Sequence, residues 1–271
     1  MLLLSLFPGI DLLGRGFEQE GFCIVRGPDL IYGGDIKTFH PPSGRFDEII
    51  AGSPCQDFSI ARHCVPPTGE GKEMLEEFAR VVLEASPAWF LLENVPAVPD
   101  VEIEGFTVQR FDLNANECGL PQDRLRHFQF GSKDRLIIRA LRQKPIPNSQ
   151  RACVATEGIR EGRRGWADFC ELQGLPRDFS LPGLTLSARY RAVGNGVPVP
   201  VARTIARAIL SARPLASHEK LCACGCGRIC TGRQLCATPA CRKRLERSRR
   251  GMRETVTARC SAAVAGSHIE M

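Results

Sequence analysis

The stretch Phe46-Asp47-Glu48-Ile49-Ile50-Ala51-Gly52-Ser53-Pro54-Cys55-Gln56 predicts a buried strand that ends in a stiff turn carrying one thiol. Pro54 fixes its own φ and keeps Ser53 out of the helical region, so the turn is held in shape. The carboxyl ends of strands are where α/β sheets bind their ligands, and Cys55 is therefore a candidate nucleophile. The alternative is a buried cysteine that only fills space.

Three further segments read as strands, and helical patterns alternate with them. The predicted strands are 2–7, 22–26 and 88–92, and the spacing of apolar residues predicts an amphipathic helix over 72–85. Strands that alternate with helices predict an α/β fold, with a mostly parallel sheet covered on both faces.

The second half of the chain has shorter predicted elements. Residues 126–130 and 135–138 flank Gly131-Ser132-Lys133-Asp134, which predicts a β-hairpin, and 199–210 reads as a helix. The apolar start, residues 1–7, is too short to span a membrane and lacks the basic flank of a signal peptide. We therefore expect a cytoplasmic protein with no membrane partner.

The positive charge is concentrated at the C-terminal end. Residues 211–271 hold 12 Lys and Arg against 4 Asp and Glu, a balance of +8, whereas the whole chain is only +6. Such a local field indicates a polyanionic partner, with a solubilising basic tail as the alternative.

Cysteines are concentrated in the same segment, where six of the 13 fall within 222–241. The spacing is typical of a small zinc module followed by a basic helix over 242–250, and a redox-active or merely cysteine-rich tail is the alternative. Four thiolates suffice for a structural zinc ion. Cys236 and Cys241 are expected to be two of them, Cys222, Cys224 and Cys226 compete for the other two places, and Cys230 is the candidate for a spare cysteine. The candidate ligands are Cys222, Cys224, Cys226, Cys236 and Cys241. The basic helix would contact phosphates, or dock a protein.

Glu93 ends the predicted strand that starts near residue 88, so it is expected at the same sheet edge as Cys55. An acid next to a thiol suits attack on an electron-poor ring, with a salt-bridged strand end as the alternative. Gln122, Arg124 and Arg126 alternate along one predicted strand, which would place three donors on one face.

Taken together, the chain resembles the DNA (cytosine-5)-methyltransferases over nearly all of 1–212. Six motifs carry this resemblance, in the order of the family. They are Ser5-Leu6-Phe7-Pro8-Gly9-Ile10, Gly34-Asp35-Ile36, Pro54-Cys55-Gln56, Glu93-Asn94-Val95, Gln122-x-Arg124-x-Arg126 and Gly194-Asn195-Gly196-Val197-Pro198.

The resemblance implies methyl transfer from S-adenosylmethionine to C5 of a cytosine flipped out of double-stranded DNA. In that scheme Cys55 attacks C6, Glu93 contacts or protonates N3, and Arg126 with Arg124 holds the base carbonyl or nearby backbone. The loop 57–71 would close over DNA, with Arg62, His63 and Lys72 available for phosphates.

It also implies a Rossmann-like methyltransferase fold that binds S-adenosylmethionine across the strand ends. The cofactor residues carried over are Phe7, Gly9, Asp11, Asp29, Asp35, Ile36, Pro54, Asn195 and Val197. Asp11 stands where the family usually has a second glycine, and Asp29 is the nearest match to the acid that holds the ribose. Asp35 would accept a hydrogen bond from the adenine amino group.

The motifs predict a division of the chain into functional segments. Residues 1–131 form the catalytic and cofactor domain, 132–164 a very small target-recognition region, and 165–212 the final motifs. A zinc-binding basic module over 218–250 and a disordered tail over 251–271 follow. Two other functions stay open, a tRNA cytosine-5 methyltransferase of this architecture and a catalytically inactive DNA-binding protein.

Overall fold

Six strands form one sheet. The computed structural model of this protein describes residues 1–59, 66–224, 228–243, 245 and 246. The strands of the sheet are β1 (Leu2–Leu6), β2 (Cys23–Arg26), β3 (Glu48–Gly52), β4 (Trp89–Asn94), β5 (Thr107–Asn114) and β7 (Leu125–Ser132). They lie in the order β2-β1-β3-β4-β7-β5; the first four run parallel, and β7 runs antiparallel to both of its neighbours, β4 and β5. The predicted α/β class and mostly parallel sheet are confirmed.

Helices cover both faces of this sheet, as the apolar runs of its strands require. Alternate strand residues such as Leu3, Ile50 and Leu91 lie in a core with α1 (Leu12–Glu18) and α5 (Val199–Leu210). The residues between them contribute to a second core with α2 (Glu70–Ala85), whose predicted amphipathic pattern is confirmed. The two cores fix the register of the strands, and therefore which residues reach the carboxyl edge of the sheet.

The predicted hairpin around residues 131–134 is wrong. Strand β7 lies between β4 and β5, so both of its edges are already paired. Strand β8 (Leu136–Ile137) consequently leaves the sheet and pairs antiparallel with β10 (Arg213–Pro214).

The predicted recognition region, 132–164, contains little regular structure beyond β8 and β9 (Gln150–Arg151), and β9 pairs with β6 (Gln122–Asp123). A third core joins α3 (Trp166–Leu172) and α4 (Leu186–Asn195).

The chain divides into two compact units, Met1–Pro214 and Leu215–Met271. The second unit contains the antiparallel pair β11 (Glu219–Leu221) and β12 (Ile229–Thr231). Several predictions lie outside the described residues: the centre of the loop after Cys55 with Arg62 and His63, the Cys226 ligand, most of the basic helix and the tail 251–271. Within the part of the chain that the structure describes, no helix has the length and apolar character needed to cross a bilayer.

Candidate active site

The parallel pairing of β3 and β4 brings the two predicted catalytic groups to one edge of the sheet. Gly52, the last residue of β3, pairs with Glu93 of β4, and Cys55 lies three residues beyond it. The Cys55 thiol interacts electrostatically with the carboxyl of Glu93 and with the guanidinium groups of Arg126 and Arg124. All four residues predicted to be catalytic are thus brought together.

Asn94 holds the turn that presents Cys55. Its side-chain amide donates to the backbone carbonyl of Ser53 at 3.2 Å and to the Ser53 hydroxyl at 2.8 Å. On the far side of the thiol, the N–H groups of Phe58 and Ser59 both donate to the Cys55 carbonyl at 3.0 Å. The backbone of Cys55 is therefore fixed from both directions, while its side chain is only partly buried. The role of Asn94 was not assigned from the sequence, although a polar residue that ends a buried strand was a signal for it.

Glu93 is a buried acid with one charged partner. It is 7% exposed, and its Oε1 forms an ion pair with Nε of Arg126 at 3.1 Å. Burial raises the pKa of Glu93, and the charges of Arg126 and Arg124 only partly oppose that shift. A carboxyl with a raised pKa can donate a proton or a hydrogen bond at a pH where an ordinary glutamate is an acceptor only.

The thiol of Cys55 is held in its protonated form by its surroundings. Burial raises its pKa, and the negative charge of Glu93 adds to this, while Arg126 and Arg124 act in the opposite direction. The thiolate is the reactive nucleophile, so Cys55 has to lose its proton before it can attack. Loss of the negative charge on Glu93, by protonation or by contact with a ring nitrogen, would favour the thiolate.

The structure corrects the prediction that Gln122, Arg124 and Arg126 project from one strand face. Strand β6 ends at Asp123 and β7 begins at Leu125, so Arg124 lies in a break between them. Gln122 is fully buried and accepts from the N–H of Cys153 at 2.8 Å. Only Arg126 projects toward Glu93, and the other two side chains bind the backbone of their own chain.

Arg124 connects three segments that are distant in sequence. Its guanidinium donates to the carbonyl of Cys153 and, at 3.0 Å each, to the carbonyls of Gly194 and Gly196. Burial lowers the pKa of Arg124 to about 9, which shows how strongly its charge is desolvated. These contacts give Arg124 a positioning role, because both of its terminal nitrogens bind backbone carbonyls.

The final motif packs beside the first loop of the chain. A Cβ on Gly194 would lie 2.6 Å from the backbone of Val154, and one on Gly196 would lie 2.7 Å from the Leu12 side chain of α1. Both positions therefore require glycine. Val197 is 3% exposed within a core cluster, whereas Asn195 is exposed. Of these two predicted cofactor residues, only Asn195 has a side chain available to a ligand.

The loop after β1 has an unusual backbone, with positive φ at Phe7, Gly9 and Asp11. The Asp11 carboxylate is 1% exposed, accepts from Ser5 Oγ at 2.9 Å and the Gly14 N–H at 3.0 Å, and forms an ion pair with Arg26. It caps α1 and shapes the loop, so a direct cofactor contact by its side chain, as predicted, is not what the structure shows. The Phe7 ring packs against the core beneath α2.

The remaining predicted cofactor residues surround this loop. Asp29 Oδ2 accepts from the N–H of Gly9 at 2.8 Å, which ties the end of β2 to the first loop. Asp35 accepts from the N–H of Lys37 at 3.0 Å, and Ile36 is buried with 4% exposure. Pro54 is partly buried in the turn before Cys55.

These residues fit an adenosyl cofactor. A Cβ at Gly9 would meet open space, so the backbone there is accessible to a ligand. Beside Asp29, three large apolar side chains are exposed to solvent, a surface that suits the face of a purine. They are Leu30, Ile31 and Tyr32, at 73%, 65% and 66% exposure.

Asp57 anchors the loop that follows the nucleophile. Its carboxylate accepts from the N–H of Thr68 at 3.0 Å and from the N–H of Gly71 at 2.9 Å, which attaches the loop to the start of α2. The Lys72 side chain forms an exposed ion pair with Glu76 at 3.1 Å, so its predicted phosphate contact would compete with that pair.

The second unit contains a cluster of cysteine side chains. The sulfur atoms of Cys222, Cys224 and Cys241 all lie within 4.8 Å of one another, and Cys236 packs against them. Cys230 is also buried in the cluster, at 1% exposure. The predicted grouping of thiols at this end of the chain is therefore present in the described residues.

Comparison with protein families agrees with the geometry. The family model for C-5 cytosine-specific DNA methylases matches residues 31–161 and 167–211. This match covers more than half of the chain, including Cys55, Glu93 and the final glycine motif. The chain belongs to the C-5 cytosine-specific DNA methylase family.

Relatives within the DNA methylase family match about half of this chain. Type II methyltransferase M.HgiDI of Herpetosiphon aurantiacus is 32% identical over 168 residues, covering 49% of this chain and 52% of its own. Type II methyltransferase M.MthTI of Methanothermobacter thermautotrophicus is 32% identical over 178 residues, covering 54% and 53%. The chain thus spans about half the length of these relatives.

A solved structure shows the same fold. A protein described as a "putative DNA modification methyltransferase" encoded within a prophage of E. coli is similar with a TM-score of 0.58 and 17% identity, and the likeness covers 78% of this chain and 99% of that one. This likeness supports the S-adenosylmethionine-dependent methyltransferase fold expected for a DNA methylase.

Proposed function

We propose that this chain transfers a methyl group from S-adenosylmethionine to C5 of cytosine in double-stranded DNA. The observation that carries this proposal is the buried Glu93, paired with Arg126, next to the thiol of Cys55 at the carboxyl edge of two parallel strands. Membership of the DNA methylase family gives the substrate class.

The thiol of Cys55 and the carboxyl of Glu93 each have one role in the proposed reaction. A cytosine flipped out of the duplex is placed between the thiol and the acid, since its C6 is out of reach inside a base stack. The thiol of Cys55 releases its proton to water as its sulfur bonds to C6, and Glu93 donates a proton to N3, so that negative charge does not build up on the ring. C5 then accepts the methyl group as the N3 proton returns to Glu93. Water takes the C5 proton, and the C5–C6 double bond forms again as the bond between sulfur and C6 breaks and the thiolate is restored.

The cofactor supplies the electrophilic methyl group. The loop after β1 would let it approach closely at Gly9, where no side chain intervenes, with Asp29 at the ribose and Asp35 at the adenine amino group. The exposed apolar side chains that follow Asp29 would cover a face of the purine. Asn195 is the one side chain of the final motif with access to a ligand at this edge.

Arg126 has two candidate positions during the reaction. In the structure it holds Glu93 through Nε and donates to the Leu125 carbonyl through Nη1 at 2.8 Å. A base that hydrogen-bonds to Glu93 would release part of this ion pair, and Arg126 would then be free to bind the base carbonyl. Arg124 would act as a positioning residue, through its hydrogen bonds to the carbonyls of Cys153, Gly194 and Gly196.

The central test is transfer of labelled methyl groups to duplex DNA. Wild type is expected to label DNA and to form a covalent adduct with DNA containing 5-fluorocytosine, because the 5-fluorine cannot be lost as a proton is. Cys55→Ser is expected to lose both activities and keep its DNA affinity, while Cys23→Ser, an exposed cysteine on β2, serves as the matched control. Wild type without transfer or adduct would refute the proposal.

The same assay separates the two other functions. Labelling of tRNA in place of duplex DNA would identify a tRNA methyltransferase, and DNA binding with no transfer would identify an inactive scaffold. The curated relatives are named Type II methyltransferases, so the proposed setting for the DNA activity is a restriction–modification system. A DNA substrate and a reduced thiol nucleophile both fit the cytoplasm.

We also propose that the cysteine cluster of the second unit binds a structural zinc ion. The basic residues that follow the cluster would bind DNA phosphates without sequence preference.

A further inference from the structure

The cysteine cluster has more thiols than a zinc ion needs, so the structure must select among them. Tetrahedral zinc takes four thiolates at about 2.3 Å, which places neighbouring sulfurs about 3.8 Å apart. The sulfurs of Cys222 and Cys224 are 3.5 Å apart, and Cys241 completes a triangle in which all separations are within 4.8 Å. Three positions of a tetrahedron are therefore nearly formed.

The structure offers Cys236 for the fourth position. Its side chain packs against the buried cluster that contains Cys222 and Cys241. Cys230 is instead the central residue of β12, where its backbone pairs with Lys220 and its side chain is buried. Cys230 is best explained as a small apolar residue that fills the interior of the module.

Hydrogen-bond donors are directed at the sulfurs of this set. Nη1 of Arg228 donates to Sγ of Cys241 at 3.4 Å, and the Thr238 hydroxyl donates to the same sulfur at 3.1 Å. The N–H of Ala237 donates to Sγ of Cys222 at 3.2 Å. Donors of this kind stabilise thiolates, and the guanidinium offsets part of the net charge of −2 on a zinc ion with four thiolates.

Backbone hydrogen bonds position the segments that carry the ligands. The N–H of Cys222 donates to the Arg228 carbonyl, and that of Ala223 donates to the Leu235 carbonyl, both at 2.8 Å. The N–H of Cys241 donates to the Thr238 hydroxyl at 3.2 Å, which starts the helical turn that carries this ligand. Two short turns thus present two cysteines each, the arrangement of a small zinc-ribbon module.

We infer that Cys222, Cys224, Cys236 and Cys241 bind one structural zinc ion, that Cys230 is a packing residue, and that Arg228 neutralises charge on the sulfurs. The module has very few apolar residues of its own, since its buried cluster consists almost entirely of these cysteines. Metal binding would therefore supply most of its folding free energy.

The first test is the metal content of the full chain, purified without chelator and measured by mass spectrometry of the elements. We expect about one zinc per chain. Cobalt substitution should give the intense charge-transfer bands of a site with four thiolates. A preparation with no zinc that also fails to bind cobalt would overturn the inference.

The second test assigns the ligands with single Cys→Ser variants of the full chain. Each of the four variants at residues 222, 224, 236 and 241 should lower zinc occupancy at least about tenfold after dialysis. Cys230→Ser is the matched control and should keep its zinc. Zinc retained by Cys224→Ser and lost by Cys226→Ser would overturn this ligand set, as would loss of zinc from Cys230→Ser.

A third measurement separates metal loss from general unfolding. Limited proteolysis of the wild type with a chelator should cleave within 215–246 and leave the fragment 1–214 intact. Arg228→Met should retain zinc stoichiometry but release the metal to a competing chelator about tenfold faster, because the sulfur charge is less well neutralised. Equal release rates for Arg228→Met and wild type would refute the role of Arg228.

Discussion

At the scale of single residues, the site is a balance between one acid and one thiol. Burial disfavours the charged form of both Glu93 and Cys55, and each negative charge would disfavour the other. Arg126 opposes both effects through its ion pair with Glu93. Burial therefore favours the protonated thiol of Cys55 beside the ion pair of Glu93 and Arg126, and a bound base would have to convert this resting site into a thiolate with a hydrogen-bonding acid.

Removing the charge of Glu93 should make the thiol more reactive. In Glu93→Gln, the pKa of Cys55 should fall because its negative neighbour is gone, so alkylation by iodoacetamide at pH 7.5 should be several-fold faster than in wild type. Peptide mass spectrometry isolates the Cys55 rate from the other cysteines. Arg126→Met should change the rate in the opposite direction, and the exposed Glu76→Gln should leave it unchanged; equal rates in all four proteins would contradict this electrostatic account.

The same Glu93→Gln variant should nevertheless be a poor methyltransferase. A general acid contributes about 10²–10⁴-fold to a rate, so single-turnover methyl transfer should fall at least about 100-fold. Because the pKa of Glu93 is raised, the wild type should keep its acid form to a higher pH than an ordinary glutamate allows. Single-turnover rates measured from pH 6 to 9 test this, and a Gln variant as fast as wild type would remove Glu93 from the chemistry.

At the scale of elements, buried polar residues hold the segments that have little regular structure. Glu157 is fully buried in the predicted recognition region, and its Oε1 forms ion pairs with Arg151 at 2.8 Å and Arg164 at 3.2 Å. Burial alone would raise the pKa of Glu157, but hydrogen bonds and charge from Arg164, helped by Arg151, lower it overall. The ion pairs of Glu157 and the hydrogen bonds of Arg124 hold this region in place, because it has few helices and strands to do so.

The Glu157 cluster should make stability depend on acid pH. A carboxylate with a lowered pKa stabilises the fold above its ordinary pKa of about 4.3, and the stabilisation is lost as the pH falls through the lowered value. Glu157→Gln should therefore lower the free energy of unfolding by about 3 kcal/mol at pH 7, with a smaller difference below about pH 4. Urea unfolding of this variant and of the exposed control Glu161→Gln measures it; a difference independent of pH would contradict the ion-pair explanation.

Arg124 should be irreplaceable by lysine. Its planar guanidinium reaches three carbonyls at once, and an ammonium group cannot match that geometry. Arg124→Lys should lower the free energy of unfolding by about 2 kcal/mol or more, as buried acceptors are left unpaired. Thermal unfolding against Arg139→Lys, an exposed control, tests this, and matching melting temperatures would show that the three contacts contribute little.

The sequence predicted the sheet well because the apolar runs of 2–7, 46–51 and 88–92 have to be buried on both faces. It failed where a partner far along the chain decides the structure. Local alternation suggested that Gln122 and Arg124 face a ligand, but backbone groups at 153 and 194–196 take their hydrogen bonds. The false hairpin at 131–134 has the same cause, since local turn residues do not reveal that both edges of β7 are paired.

At the scale of the whole molecule, chemistry and basic charge lie in different units. The catalytic groups belong to Met1–Pro214, and the excess of 12 basic over 4 acidic residues begins at residue 211. The first unit contains all the described cores of the sheet. Methyl transfer and sequence-independent DNA affinity are therefore expected to be separable.

Ending the chain after Ser217 should separate methyl transfer from sequence-independent DNA affinity. The shortened protein keeps β10 and its pairing with β8, so it should fold and transfer methyl groups at saturating DNA. Its DNA affinity should be weaker and less dependent on salt, because each lost phosphate contact reduces the slope of log K against log salt by about 0.9. Binding titrations from 50 to 300 mM salt measure this; an unchanged slope would show that the tail does not touch DNA.

Gly196 packs closely against Leu12, and Arg124 binds the carbonyls of the same glycine motif. These contacts have a consequence for biosynthesis. The segment that carries Cys55 precedes the glycine motif at 194–198 in the chain, so these contacts cannot form until that later segment has been synthesised. A chain that ended before residue 194 would carry Cys55 but would leave Leu12 and Arg124 without these contacts. Such a chain is therefore expected to be inactive in methyl transfer.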